Sequence, residues 1–123
     1  ITYPWKVTIK DNAWIGDCVD LYSLGEITIG KNAVVSQKSY LCTGSHDYKS
    51  ESFDIYAKPI VIEDEVWVAT DVFIAPGVTI GQGAVVGSRS SVYHDMPAGM
   101  ICVGSPAKPM RQRKADEIIS IQS

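Results

Sequence analysis

Every sixth residue through the middle of the chain is a branched aliphatic: Ile62, Val68, Ile74, Ile80, Val86 and Val92 hold one register for 36 residues. Ile, Leu and Val make up 30 of the 123 residues. Six of them in phase at a fixed frame would arise by chance roughly a few times in ten thousand. The same spacing runs earlier through Ile9, Ile15 and Leu21, slips by two residues across Glu26 to Thr28, and resumes at Ile29, Val35 and Leu41. The chain therefore reads as twelve hexads in three registers.

The fifth place of each hexad carries a second signal. It is filled by Ala13, Val19, Gly25, Ala33, Ser39, Ser45, Val66, Val72, Val78, Ala84, Ser90 and Met96, so eleven of the twelve are Gly, Ala, Ser or Val. An amphipathic helix needs apolar residues three, four and seven apart, which this spacing does not supply. Plain strand alternation is absent too. Turn formers such as Gly16, Asn32, Asp64, Gly81 and Gly87 fall between the aliphatics, so the pattern predicts short strands broken by tight corners. Three sides close a triangular coil of 18 residues, and the twelve hexads give about four coils. Stacked at about 4.8 Å, their aliphatics form internal ladders. The predicted fold is an all-β, single-stranded parallel β-helix.

Two segments leave the period. Leu41 and Ile62 are 21 residues apart, three more than a coil, and Gly44 to Pro59 has no hexad signal, which predicts an external loop over 47–59. After Pro97 the period ends, and residues 112–121 have helix-compatible composition with Ile118 and Ile121 on one face, predicting a short C-terminal helix that caps the stack. The expected organisation is a β-helix domain over 1–109 and a tail over 110–123.

Composition narrows the function classes. Eleven basic and 14 acidic side chains leave a net charge of -3, too little positive charge for an electrostatic nucleic-acid binder. At 46% hydrophobic and 20% charged the composition is that of a globular domain, and no apolar run reaches the roughly 18 residues of a membrane span. Cys18, Cys42 and Cys102 form no C-x-x-C pair and are too sparse for a secreted disulfide scaffold, so they read as reduced packing thiols of a cytoplasmic protein. The start at Ile1, with no methionine or signal-type segment, reads as an excerpt of a longer polypeptide.

The hexads Ile80-Gly-Gln-Gly-Ala-Val and Val86-Gly-Ser-Arg-Ser-Ser, the segment Val66-Trp-Val-Ala-Thr-Asp, the loop Thr43-Gly-Ser-His-Asp-Tyr and the tail Val103-Gly-Ser-Pro-Ala-Lys together resemble the left-handed β-helix acyltransferases. Within them the likeness is to sugar O-acetyltransferases of the colanic acid, maltose and galactoside types. The left hand of the coil comes from this resemblance alone, because the general preference for right-handed crossovers predicts the opposite. The implied activity is transfer of acetyl from acetyl-CoA to a carbohydrate hydroxyl by direct attack in a ternary complex, without metal. His46 matches the family's catalytic position, and neutral imidazole is available as a base near pH 7. Either Asp47 or a backbone carbonyl orients it.

For the cofactor, the resemblance places Thr70 and Ser88 along the pantetheine channel and Lys108 and Arg111 against the CoA phosphates. Tyr93 and His94 stand where relatives often carry Thr-Lys, which marks one altered phosphate contact. The family also implies a homotrimer with sites between neighbouring prisms, and the aromatics Trp14, Tyr40, Trp67 and Phe73 are expected to point outward and need cover. Trp67 is a candidate substrate platform or packing residue. Asp17 and Asp20 are candidates to hydrogen-bond a sugar or simply solvate corners.

Rival readings fare worse. A zinc hydratase on this scaffold needs three histidines, and the chain has two, 48 positions apart. A non-catalytic structural trimer gives no account of the histidine loop. A serine or antibiotic acceptor in place of the sugar stays open, since acceptor choice lies in loops.

Overall fold

The computed structural model describes residues 3–46 and 55–113. Three parallel sheets form the sides of a triangular coil. The first face stacks β1 (Val7–Ile9), β4 (Ile27–Ile29), β9 (Ile60–Ile62) and β12 (Thr79–Ile80). The second stacks β2 (Trp14–Ile15), β5 (Val34–Val35), β10 (Trp67–Val68), β13 (Val85–Val86) and β15 (Met100–Gly104), with β16 (Ala107–Gln112) folded back antiparallel on the end. The third stacks β3 (Asp20–Tyr22), β6 (Tyr40–Cys42), β11 (Phe73–Ile74) and β14 (Ser91–Val92). Strands two and three residues long are stable here because each is held by a coil on either side.

The register aligns the hexad aliphatics into three ladders. Ile9, Ile29, Ile62 and Ile80 pair down the first face; Ile15, Val35, Val68, Val86 and Cys102 down the second; Leu21, Leu41, Ile74 and Val92 down the third. From the second coil on, these side chains are fully buried, and each contributes roughly 1.5–3 kcal/mol by leaving water. In the first coil Ile9 remains 45% exposed and Ile15 half-buried.

At the corners that follow the first and second faces, and at one that follows the third, the chain turns on a residue three places after the ladder residue. Asn12, Cys18, Asn32, Lys38, Glu65, Asp71 and Arg89 all have left-handed backbone with φ between 58 and 64°, and Gly77, Gly83 and Gly99 fill the same place. The small fifth-position residues then fit inside the corner. Ala33, Val66 and Ala84 are buried at one, Ser39, Val72 and Ser90 at the next. The serine hydroxyls are satisfied across coils: Ser39 donates to the Ala69 carbonyl at 2.9 Å and accepts from the Val72 N–H at 3.1 Å.

Three features lie outside the hexad pattern. Ser45 is exposed, because the chain leaves the coil at Thr43 and its hexad is never completed. The excursion is not an irregular loop at its base: β7 (Gly44–His46) and β8 (Ile55–Ala57) pair antiparallel as a hairpin, with residues 47–54 outside the described residues. Residues 110–112 are not tail but part of β16, so the boundary at 109/110 falls within a strand; the expected helix lies, from residue 114 on, outside the described residues. Arg113 closes this end: its N–H donates to the Gly99 carbonyl, and its guanidinium to the corner carbonyls of Glu65 and Gly83 at 3.0 and 2.9 Å. Among the described residues no helix is long and apolar enough to cross a membrane.

Candidate active site

The histidine hairpin leaves the helix at the edge between the third and first faces, and Thr43 fixes its root. The buried Thr43 hydroxyl donates to the Tyr22 carbonyl at 2.6 Å and accepts the Gly25 N–H at 2.7 Å, while its carbonyl accepts the Lys58 N–H at 2.9 Å. Entry and exit of the excursion are thereby tied to each other and to the coil before. From this root β7 carries Ser45 opposite Tyr56 and His46 opposite Ile55, so backbone pairing, rather than a free loop, positions His46. Tyr56 is 39% exposed, with the Lys58 ammonium 5.6 Å from its ring centre. Farther along the same edge come Tyr93 and His94, both exposed, followed by Asp95, whose carboxylate accepts the Thr79 N–H at 2.8 Å.

The other candidates occupy a different edge, between the second and third faces. Thr70 follows β10 and Ser88 follows β13, one coil apart, and the Arg89 N–H donates to the Thr70 carbonyl at 2.9 Å. Lys108 lies on β16 opposite Val103, and the neighbouring Gly104 N–H donates to Ser90 Oγ at 3.1 Å, so Lys108 belongs to the lower end of that edge. Asp17, exposed, shares the edge in the first coil, and Asp20 is exposed on β3. Arg111 lies opposite Ile101, on the strand run that leads away toward the other edge of the second face. Within one chain the third face, with its strands of two or three residues, separates the strand that carries His46 from Thr70 and Ser88.

That face carries aromatic side chains. The Tyr40 and Phe73 rings meet edge-on at 5.7 Å between centres, and Phe73 and Tyr93 at 5.9 Å. Tyr40 is pushed up to about 12, first by burial, which penalises the phenolate, then by its hydrogen bond with the Cys42 side chain and by negative charge at Cys42, Asp20 and Tyr22. Trp14 is 54% exposed, as expected of an outward aromatic, but Trp67 is not. It is 6% exposed, packed with Val85, Ile101 and Ala69, and its indole N–H donates to Ser36 Oγ at 3.2 Å. So covered, the ring packs on the outer side of the second face, in line with the packing role offered for it beside that of a substrate platform.

Sequence reasoning passed over Thr43 and Arg89, though both lie in quoted motifs. The signal for Thr43 was its place two residues after Leu41, the last ladder aliphatic before the period fails. Among the described residues no three His, Cys, Asp or Glu side chains cluster to hold a metal ion.

No family model matches the chain. It is 62% identical over 117 residues to the putative colanic acid biosynthesis acetyltransferase WcaF of Escherichia coli strain K12, covering 95% of the chain and 64% of that protein. Among solved structures, the hexapeptide-repeat containing acetyltransferase VCA0836 of Vibrio cholerae superposes with a TM-score of 0.74 at 30% identity, covering 89% of the chain and 72% of VCA0836. The chain belongs to the hexapeptide-repeat acetyltransferases. Another structure of VCA0836 is a complex with acetyl coenzyme A, at TM-score 0.75 and 32% identity. A maltose O-acetyltransferase of Clostridium difficile 630 superposes at TM-score 0.87 with 27% identity, covering 91% of the chain and 62% of that protein. The triangular parallel coil is the left-handed β-helix that the resemblance implied. The chain spans 64% of the length of WcaF.

Proposed function

We propose that this chain is the β-helix of an acetyl-CoA-dependent O-acetyltransferase whose acceptor is a carbohydrate hydroxyl. The observation that carries the reading is the hairpin bearing Thr43-Gly-Ser-His46, rooted by three hydrogen bonds on the coil of a hexapeptide-repeat acetyltransferase. His46 takes the proton of the acceptor hydroxyl as its oxygen attacks the thioester carbonyl carbon. The carbon–sulfur bond then breaks, and the imidazolium returns the proton to the departing thiolate. No covalent enzyme intermediate is involved. Thr70 and Ser88 flank the neutral arm of the donor, and Lys108 meets its phosphates.

The separation of the two edges supports a composite site. In a closed ring of three copies with the third face inward, the histidine edge of one protomer, with Tyr93 and His94, meets the Thr70 and Ser88 edge of the next, a heterologous contact that closes on itself. The aromatic stripe of exposed Tyr40 and Tyr93 with half-buried Phe73 between them then lies inside the assembly. Asp17 and Asp20 approach the acceptor from the first coil. Free thiols at Cys18, Cys42 and Cys102, together with an intracellular acyl donor, support a cytoplasmic location.

Calorimetric titration of acetyl-CoA is the first test, with saturable binding at one site per chain expected. Thiol release is then followed with galactose, glucose and maltose as acceptors. His46→Ala keeps donor affinity within a few-fold and abolishes the release that the wild-type chain gives with the best of these sugars. Absence of donor binding at millimolar concentration, or turnover retained by His46→Ala, sinks the reading.

A further inference from the structure

Charge is unevenly distributed along the prism. Up to Val86 the described residues hold five Lys or Arg against eight Asp or Glu, whereas residues 87–113 hold Arg89, Lys108, Arg111 and Arg113 against Asp95 alone. Two of these groups are already committed elsewhere. Arg113 binds the Glu65 and Gly83 carbonyls, and Asp95 accepts the Thr79 N–H on the histidine edge. Arg89 and Lys108 remain on the edge between the second and third faces, both exposed, and neither side chain has an ion-pair partner among the described residues.

Their placement is ordered. The Arg89 N–H bonds the Thr70 carbonyl, so Arg89 stands one coil, about 4.8 Å, below Thr70 and next to Ser88. Lys108 follows on β16, two strands beyond β13. Above Arg89, at the same corner position one coil earlier, is the exposed Asp71. Higher on the same corner stands the exposed Lys38, so reading down the edge an ammonium is followed by a carboxylate, and below Thr70 a guanidinium and a second ammonium follow with no carboxylate between them. An elongated ligand with one neutral and one polyanionic end has a single favourable direction along such an edge, its neutral arm beside Thr70 and its phosphates beside Arg89 and Lys108.

We infer that Arg89 is a phosphate-contacting residue for the acyl donor and, with Lys108, fixes the direction in which the donor lies on the edge. The inference rests on the acetyl-CoA reading above and adds a residue to it. Arg89 occupies left-handed backbone with φ 62°, where glycine is the more comfortable residue. Removing the side chain as Arg89→Gly therefore relieves the backbone, and the variant is expected to melt no lower than the wild type; Arg89→Asn, which also tolerates this conformation, is its companion.

The test is calorimetric titration of the full chain with CoA and with pantetheine, which lacks the nucleotide and its phosphates. Both variants are expected to bind CoA roughly five- to tenfold more weakly than the wild type, with the difference shrinking as salt is raised. Pantetheine affinity is expected to be unchanged. Equal CoA affinity in wild type and variants overturns the inference, as does an equal loss for CoA and pantetheine, which marks a change of shape rather than of charge. A wild-type chain that binds no CoA overturns the acyl-donor reading itself, and this inference with it.

Discussion

Met96 lies directly against Ile80 in the ladder inside the first face, sixteen residues on where every earlier uninterrupted coil has eighteen or more. The pairing is held by the Gly81 N–H on the Met96 carbonyl and the Met96 N–H on the Thr79 carbonyl. Two residues are missing from the hexad that opens at Val92, so Met96, which the hexad count sets at a fifth position, is a ladder residue. The same shortening brings Cys102 beneath Val86.

Met96 is 5% exposed, and truncation therefore leaves a cavity at the end of the core. Met96→Ala is expected to cost about 2–4 kcal/mol and Met96→Leu less than about 1.5. Urea denaturation at fixed protomer concentration measures both. An alanine variant as stable as the wild type would return Met96 to an exposed corner.

The aliphatic ladder was legible because a triangular coil has room for one large inward residue per side, which forces the six-residue period through Ile62 to Val92. The shortened last coil was not legible, since a methionine filling an aliphatic's place leaves no trace in a β-branched pattern. Strand β16 was equally hidden. Lys108, Pro109, Met110, Arg111 and Gln112 are exposed and show no alternation, so only pairing with β15 makes them a strand. For the site, the residues came from motifs, but their division between two edges follows only when hexads are counted in threes across the slip at Glu26 and the hairpin. For Trp67 the pattern left packing and platform open, because an outward position on β10 says nothing of what packs over it.

Two glycines separate the reasons a corner needs that residue. A Cβ on Gly30 would sit 2.6 Å from the Asp64 backbone N and from Asp64 Oδ1, the oxygen that accepts the Lys31 N–H. A Cβ on Gly83 meets nothing within 4 Å, but its φ is 73°. Gly30→Ala is expected to cost about 2 kcal/mol by pushing neighbouring coils apart. Gly83→Ala is expected to cost about 1 kcal/mol, and Gly83→Asn less, since asparagine accepts left-handed backbone. Melting temperatures rank the three, and a neutral Gly83→Ala would mean that the corner there is not left-handed.

Alkaline pH addresses the third face. Tyr40 keeps its proton in the folded chain to about 12, against 10.0 for an ordinary tyrosine. From about pH 10 the unfolded chain releases this proton and the folded chain does not, so Tyr40's contribution to stability falls through that range and levels off above about pH 12. Ultraviolet titration of phenolate should show one tyrosine ionising after the others, and Tyr40→Phe should remove that last step. A single transition for all tyrosines near the ordinary value would show that burial on this face is too slight to matter.

The division of candidates between edges makes a strong demand on assembly. If one site is built from His46 of one protomer and the Thr70, Ser88 edge of its neighbour, two inactive chains can restore each other. Let one chain carry His46→Ala with an intact edge, and the other carry Ser88→Trp, which blocks the donor channel while leaving its histidine. On that model each is expected to assemble alone into a trimer without a working site. Mixed by unfolding and refolding together in equal amounts, they form interfaces at random, and about one in four pairs an intact histidine with an intact edge. Thiol release should therefore recover to about a quarter of the wild-type value, only after remixing of subunits, and mass measurement should report trimers throughout. If all the groups act within one chain, every site keeps one defect and no activity returns however the chains are mixed. A stable, active monomer of the wild-type chain would contradict the composite site more directly, because the third face would then have to be bridged by the ligand alone.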